Sequence, residues 1–85
     1  MSEEEIRGLI WRIASEAAEK GPGWSQEGVV LREAGQHIFG KSRGLKPDLR
    51  IQQMILDAWH ELFTEKKLGW GYDLDNPNSP FFHVR

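Results

Sequence analysis

Residues 58–85 read AWHELFTEKKLGWGYDLDNPNSPFFHVR, and the spacing of the apolar residues changes within this stretch. Before residue 68 the apolar residues recur every three or four positions, as on one face of a helix. Residues 68–74 instead alternate apolar side chains with glycine or aspartate, which is typical of a strand with one packed face. Residues 75–80, DNPNSP, are rich in turn-forming residues, and residues 81–85, FFHVR, return as a second strand. The stretch therefore predicts a helix that leads into a β-hairpin.

This helix begins before the quoted stretch. Asp48, which follows Pro47, is a suitable N-cap, and the pattern predicts a helix over residues 49–67. One face of the helix is apolar, and we expect Trp59 on that face and Trp70 in the hairpin to be core residues. The opposite face is polar and comprises Arg50, Gln53, Asp57, Glu61 and Thr64.

The N-terminal half of the chain predicts two more helices. Ser2 and Glu5 form the S-x-x-E pattern of a capping box, which predicts a first helix that ends at residues 21–23, GPG. A second helix is expected over about residues 31–39, from its apolar spacing. Residues 28–30 are compatible with a short strand or with the first turn of this second helix.

Length and composition favour a single domain over residues 1–85. The absence of cysteine excludes disulfides and thiolate metal sites, and it is typical of a reducing compartment. The N-terminus is acidic, unlike a signal peptide, and no apolar run reaches membrane length, so we expect a cytoplasmic protein without membrane contact. The chain stops at Arg85, at the edge of a predicted strand, which predicts a domain excised from a longer chain.

Residues 35–42, GQHIFGKS, match the phosphate-binding pattern G-x-x-x-x-G-K-[ST]. A P-loop requires a long helix that starts at the lysine, so that the helix dipole can meet the phosphates. Pro47 follows too soon for such a helix, and the bulky residues 36–39 do not suit a loop that wraps phosphates. Gly40 is better explained as the terminator of the second helix, so no nucleotide cofactor is predicted.

The histidines do not indicate a metal or catalytic site. His37, His60 and His83 lie on three different predicted elements, without the close pairing or the cysteines of a zinc site. Ser42 and Ser79 have no base and orienting group nearby in sequence, as a nucleophile would need. We therefore expect neither an enzyme nor a bound cofactor.

Basic residues cluster in one segment, although the net charge is −2. Such a cluster suits contact with phosphates, and a plain solvated surface is the alternative explanation. Asp48 is the acidic residue among them. The cluster comprises Lys41, Arg43, Lys46 and Arg50.

The predicted order of helix, short strand, helix, basic loop, helix and hairpin resembles the winged helix-turn-helix domain over nearly the whole chain. The most specific part is W-x-x-L-F, L-G-W-G and N-P-N-x-P-F-F-H within residues 59–83, which is similar to the wing of prokaryotic winged-helix domains fused to larger proteins. The resemblance implies an α+β fold with three helices and a C-terminal two-stranded wing. It also implies double-stranded DNA as the partner, with the third helix in the major groove and the wing on the backbone.

Carried over by position, the resemblance implies three groups of DNA contacts. Arginine and lysine suit phosphates, and glutamine suits base edges. This sequence departs from the pattern in its acidic wing, at Asp73 and Asp75, and in the acidic later half of the third helix. The implied contacts are Lys41, Arg43 and Lys46 in the loop, Arg50, Gln52 and Gln53 on the helix, and Asn76, Asn78 and Ser79 in the wing.

A second function stays open at this point. Some winged-helix domains do not bind DNA and serve as protein-interaction or oligomerisation modules of multidomain signalling and defence proteins, and the acidic charge favours this alternative. Trp11 lies off the apolar stripe of the first helix, and Trp24 lies in a Gly/Pro-rich segment. An exposed ring at either position would indicate a partner surface, whereas covering a loop edge is the alternative role.

Overall fold

The structure is a computed structural model that describes residues 2–40 and 48–85. Within these ranges the chain is α+β, with three helices and a small antiparallel three-stranded sheet, so the predicted fold class is confirmed at that level. No helix of the described ranges is both long and apolar enough to cross a bilayer. The elements in chain order are α1 (Glu3–Lys20), β1 (Trp24–Gln26), α2 (Glu27–Phe39), α3 (Leu49–Thr64), β2 (Leu68–Trp70) and β3 (Phe81–Val84).

Helix α1 starts at the predicted capping box. The Ser2 hydroxyl accepts a hydrogen bond from the Glu5 N–H, and the Ser2 N–H donates to the Glu5 carboxylate, both at 3.2 Å. The bond from the Ser2 N–H lowers the pKa of Glu5 below its usual value, because it stabilises the charged carboxylate. The helix ends where Gly21 and Gly23 donate their N–H groups to the Ala18 carbonyl, at 3.2 and 3.0 Å. Both predicted boundaries of this helix are confirmed.

Helix α2 starts at Glu27, earlier than the sequence predicted. Val30 is fully buried on the inner face of the helix, so residues 28–30 are its first turn rather than a strand. The Glu27 N–H donates to the Pro80 carbonyl at 2.7 Å, which joins the start of α2 to the end of the hairpin turn. Gly40, at a φ of +66°, ends the helix as predicted.

Helix α3 begins at the predicted cap but ends earlier than predicted. The Asp48 carboxylate accepts a hydrogen bond from the Arg50 N–H at 2.8 Å. At the other end Lys66 adopts a φ of +62°, and the Lys67 N–H donates to the Leu62 carbonyl at 2.9 Å. This left-handed turn redirects the chain into β2, so the two lysines lie beyond the last helical turn.

The sheet has the strand order β1-β3-β2, with both pairs antiparallel. The predicted hairpin accounts for β2 and β3 but not for β1, which places Trp24 opposite His83. Strand β2 is also shorter than the predicted strand over residues 68–74. It stops because Gly71, at a φ of +85°, turns the chain, while its N–H donates to the Phe81 carbonyl at 2.7 Å.

Trp59 is the centre of the core and is completely buried. Its indole Nε1–H donates to a Glu27 carboxylate oxygen at 2.9 Å, and its ring meets Phe82 edge to face at a centroid distance of 5.1 Å. Trp70 was also expected in the core, but it is 38% exposed. One face of its ring stacks on Phe63 at 4.0 Å, so Trp70 covers the core instead of lying inside it.

Candidate nucleic-acid interface

The first turn of α3 is the part of the predicted DNA-contacting surface that the structure describes most directly. The Asp48 cap holds this turn, Arg50 and Gln52 are exposed on it, and Gln53 is exposed at the start of the next turn. Arg50 and Gln53 lie three positions apart, so they share one side of the helix. Gln52, two positions from Arg50, lies on nearly the opposite side of the helix, so the structure groups only two of these three residues.

The other predicted basic contacts, Lys41, Arg43 and Lys46, lie outside the described residues. They account for three of the 11 basic residues, whereas all 13 acidic residues lie in the described ranges. The described part of the chain therefore carries eight basic and 13 acidic side chains. The described residues thus have an acidic surplus, and the predicted basic cluster is concentrated in the segment that precedes α3.

The later half of α3 is acidic and faces α1. Glu61 forms an ion pair with Arg7, and Glu65 contacts the same guanidinium at 3.4 Å. The hydrogen bond that Arg7 donates to Glu61 raises the pKa of Arg7 above its usual value, because it stabilises the charged guanidinium. Asp57 lines a cleft of about 250 Å³ beside this ion pair, together with Glu3 and other residues of α1 and α3. Because carboxylates repel phosphates, the later half of α3 does not suit contact with an anionic duplex.

The turn between β2 and β3 is held by its own side chains. One carboxylate oxygen of Asp73 accepts the N–H of Asp75 at 3.0 Å and the N–H of Asn76 at 2.7 Å. It also accepts the side-chain amide of Asn76 at 3.1 Å, so this predicted wing contact is engaged within the turn. Asn78 and Ser79 are exposed, and the Asn78 carbonyl accepts the Phe81 N–H at 3.3 Å. Of the two predicted wing asparagines, Asn78 is thus the more exposed.

Aromatic rings support the base of the same turn. Trp24 stacks on Tyr72 at a centroid distance of 3.9 Å, and Phe81 meets both rings edge to face. The Gly71 carbonyl lies 2.7 Å from Nδ1 of His83. These contacts give the N-P-N-x-P-F-F-H motif a structural role, because they join the turn to β1 and β3.

Neither tryptophan predicted as a partner surface is fully exposed. Trp24 is half-buried in β1, where its ring stacks as described above. Trp11 is half-buried and packs against the core, and the Lys67 ammonium lies 5.6 Å from its ring centroid. Both side chains make contacts within the chain, and a partner contact through them stays a prediction.

Two exposed leucines on α3 were not singled out by the sequence. Leu49 is 65% exposed and Leu56 is 42% exposed. They lie seven positions apart and outside the apolar face that packs on the core. The sequence already shows that both leucines lie outside the apolar face of the helix. Their exposure could not be predicted from it, because exposure depends on which neighbouring elements cover the helix. The structure thus adds an apolar component to the candidate surface.

Among the described residues, no group of three or more histidine or carboxylate side chains is placed to hold a metal ion. His37, His60 and His83 lie on α2, α3 and β3. They therefore do not form a shared cluster in this part of the chain.

Comparison with known proteins does not assign a family. No family model matches the chain, and no solved structure matches it. A mannosyl-oligosaccharide 1,2-alpha-mannosidase from Candida albicans is 37% identical over 51 residues, which cover 56% of this chain and 8% of the mannosidase. The chain thus matches a small fraction of that protein's length, and the similarity does not show a family.

Proposed function

We propose that the chain is a winged-helix domain that binds double-stranded DNA. The described elements follow the order on which the resemblance rests, namely helix, short strand, helix, helix and hairpin. The observation that carries the proposal is the capped start of α3, where Arg50 and Gln53 are exposed on one side directly after a segment with three basic residues. Together these features combine a cationic segment with side chains suited to base edges.

The proposed contacts divide into two classes. Lys41, Arg43, Lys46 and Arg50 neutralise phosphates, and they carry the affinity but little sequence information. Gln53 reads a base edge from the start of the second turn of α3, where its amide can pair with adenine. Asn78 in the hairpin turn adds a backbone contact. The acidic residues of α3 and of the turn keep the affinity low.

Duplex titrations at several salt concentrations test this proposal. Four phosphate contacts predict a slope of log affinity against log salt of about −3 to −4. Substitution of Gln53 by alanine should reduce the preference among sequences while it leaves the slope nearly unchanged, because a base contact releases no counterions. No binding to any duplex at about 50 mM salt, where electrostatic contacts are strongest, would contradict the proposal.

A second candidate function is a protein-interaction or oligomerisation module of a multidomain prokaryotic protein. Exposed Leu49 and Leu56 favour it, because apolar side chains at the centre of a contact surface are typical of protein interfaces. The acidic surplus of the described residues favours it as well. It predicts association with protein in the absence of duplex binding.

A further inference from the structure

We propose that Met54 is a site of reversible oxidation by hydrogen peroxide, and that the methionine sulfoxide formed there loosens the packing of α3 on α1. Met54 lies in the second turn of α3, next to Gln53, and lines the cleft between the two helices together with Arg7 of α1. This modification goes beyond both functions proposed above and depends on neither of them.

The sulfur chemistry of the chain is restricted to methionine. The sequence contains two methionines and no cysteine, so no thiol can be oxidised to a sulfenic acid or a disulfide. Met1 lies outside the described residues. Met54 therefore carries the sulfur atom of the part of the chain that the structure describes.

Met54 combines a role in packing with access from solvent. Its side chain is half-buried and packs against the hydrophobic core. It also lines the cleft of about 250 Å³, which opens to solvent. Because a space of about 15 Å³ holds a water molecule, this cleft admits hydrogen peroxide, which is only slightly larger than water. The structure thus gives a small oxidant a path to a side chain that stabilises the fold.

The oxidation needs hydrogen peroxide as its co-reactant. The thioether sulfur attacks one peroxide oxygen, so that an S–O bond forms and the O–O bond breaks. The departing hydroxide takes up the proton left on the transferred oxygen and leaves as water. The sulfur is oxidised by two electrons and the peroxide is reduced. The product is methionine sulfoxide, which methionine sulfoxide reductases convert back to methionine.

The sulfoxide is a poor fit to its surroundings because it replaces an apolar group with a polar one. One side of Met54 is the hydrophobic core, where a polar group without a hydrogen bond is destabilising. On the other side, carboxylates line the cleft, including Glu3 and Asp57. The sulfoxide oxygen carries a partial negative charge, so these carboxylates repel it.

Arg7 supplies the side-chain N–H donors that line the cleft, and its guanidinium is already engaged. It pairs with Glu61 and lies 3.4 Å from Glu65. A hydrogen bond to the sulfoxide oxygen would draw the guanidinium away from these carboxylates, and the ion pair joins α1 to α3. Both positions of the oxygen, towards the core and towards Arg7, therefore weaken the contact between the two helices.

Peroxide treatment of the folded chain, followed by peptide mass spectrometry and thermal unfolding, tests the proposal. We expect Met54 to gain one oxygen atom at a rate within about tenfold of its rate in the urea-unfolded chain, because oxidation follows exposure. The midpoint of thermal unfolding should fall by at least about 4 °C. Reductases for both sulfoxide epimers should restore it. A midpoint that stays low after the sulfoxide has been reduced would place the damage elsewhere and overturn the proposal.

Met54→Leu is the matched control. It keeps the apolar volume and removes the sulfur, while Met1 and the four tryptophans remain. Peroxide should leave its unfolding midpoint unchanged, so an equal fall in the parent and in this variant would overturn the proposal.

Two results in the unsubstituted chain also decide the matter if Met54→Leu does not fold. Protection of Met54 by much more than about tenfold in the folded chain would show that the cleft does not admit the oxidant. Complete oxidation of Met54 with an unchanged midpoint would show that the sulfoxide is accommodated. Either result overturns the proposal. Because these measurements use no DNA, failure of the duplex titrations leaves them unaffected.

Discussion

At the scale of single residues, Gly71 determines whether the hairpin turn can close. Its φ of +85° lies in the region that favours glycine. A Cβ atom built at this position would lie 2.5 Å from the Pro77 carbonyl carbon, closer than any side chain tolerates. Backbone conformation and close approach therefore both require glycine here. The L-G-W-G motif, on which the resemblance partly rests, thus ends in a glycine that allows the turn to close.

Alanine substitutions at three glycines separate these two effects. Gly71→Ala should lower the free energy of unfolding by about 3 kcal/mol or more, from left-handed strain plus overlap with Pro77. Gly23→Ala should lower the free energy of unfolding by only about 1–2 kcal/mol. The reason is that Gly23 has a φ of +94°, which strains alanine, but no atom lies close enough to overlap with the added Cβ. Gly8→Ala, in the exposed face of α1, should stabilise by about 0.5–1 kcal/mol. Urea unfolding measures all three, and equal losses for Gly71→Ala and Gly23→Ala would show that Pro77 does not constrain the turn.

Trp59 provides a second prediction at this scale. Trp59→Ala should lower the free energy of unfolding by about 3–5 kcal/mol, because it leaves a large cavity. It also leaves Glu27 without the indole hydrogen bond. Trp70→Ala is the comparison, since that ring is partly exposed, and it should cost about 1–2 kcal/mol. Equal denaturation midpoints for the two variants would contradict the central position of Trp59.

At the scale of elements, β3 is the middle strand because β1 pairs with its second edge. Successive N–H groups of a strand point to opposite sides, so a middle strand uses all of them and an edge strand only alternate ones. Strand β1 therefore completes the hydrogen bonding of β3 and connects α1 and α2 to the hairpin.

Hydrogen exchange distinguishes this arrangement from an isolated hairpin. The adjacent amides of Phe82 and His83 should both exchange slowly, because they face β1 and β2 in turn. In a two-stranded hairpin one of them would face solvent and exchange quickly. The measurement is made by NMR under native conditions, and fast exchange at either position would argue against the pairing of β1.

The capping box of α1 predicts a dependence on pH at the same scale. The folded state lowers the pKa of Glu5 below its usual value of 4.5, so its contribution to stability is complete above that pH. It decreases as the pH falls through the lower, folded value. Glu5→Gln should therefore flatten the loss of thermal stability between about pH 5 and pH 2, compared with the parent chain. Glu4→Gln removes a neighbouring carboxylate outside the capping box, and an equal effect of both substitutions would contradict the role of the box.

At the scale of the whole molecule, charge is divided unevenly. The described residues have an acidic surplus, and three of the basic residues lie in the segment before α3. The proposed affinity for DNA thus depends on a short stretch of the chain, whereas the domain as a whole repels a duplex. The exposed leucines of α3, Leu49 and Leu56, form the other surface on which a proposed function depends.

Paired substitutions test this division of charge. The double substitution Lys41→Ala with Arg43→Ala should make the slope of log affinity against log salt less negative by about two. It should also weaken binding to all DNA sequences to the same extent. Lys66→Ala with Lys67→Ala removes the same charge beyond the end of α3 and should change the slope much less. If both pairs have the same effect, DNA is attracted by total charge and not by the segment before α3.

Local interactions explain why much of this fold could be predicted from the sequence. The capping box at Ser2, the cap at Asp48 and the apolar spacing of α1 and α3 act between residues three or four positions apart. The turn residues between β2 and β3 predicted a hairpin for the same reason, because turn conformations depend on the residues within the turn.

Features that depend on contacts between segments distant in sequence are apparent only in the tertiary structure. The short segment Trp24–Gln26 becomes a strand because β3 offers it a free edge, and this pairing moves the start of α2 to Glu27. The end of β2 depends on the approach of Pro77 to Gly71. Exposure of Leu49 and Leu56 depends on where the other helices pack, since an apolar residue is buried only if a neighbour covers it. The local pattern of a sequence carries the signal for capping and periodicity, but contacts between distant segments arise only when the whole chain has folded.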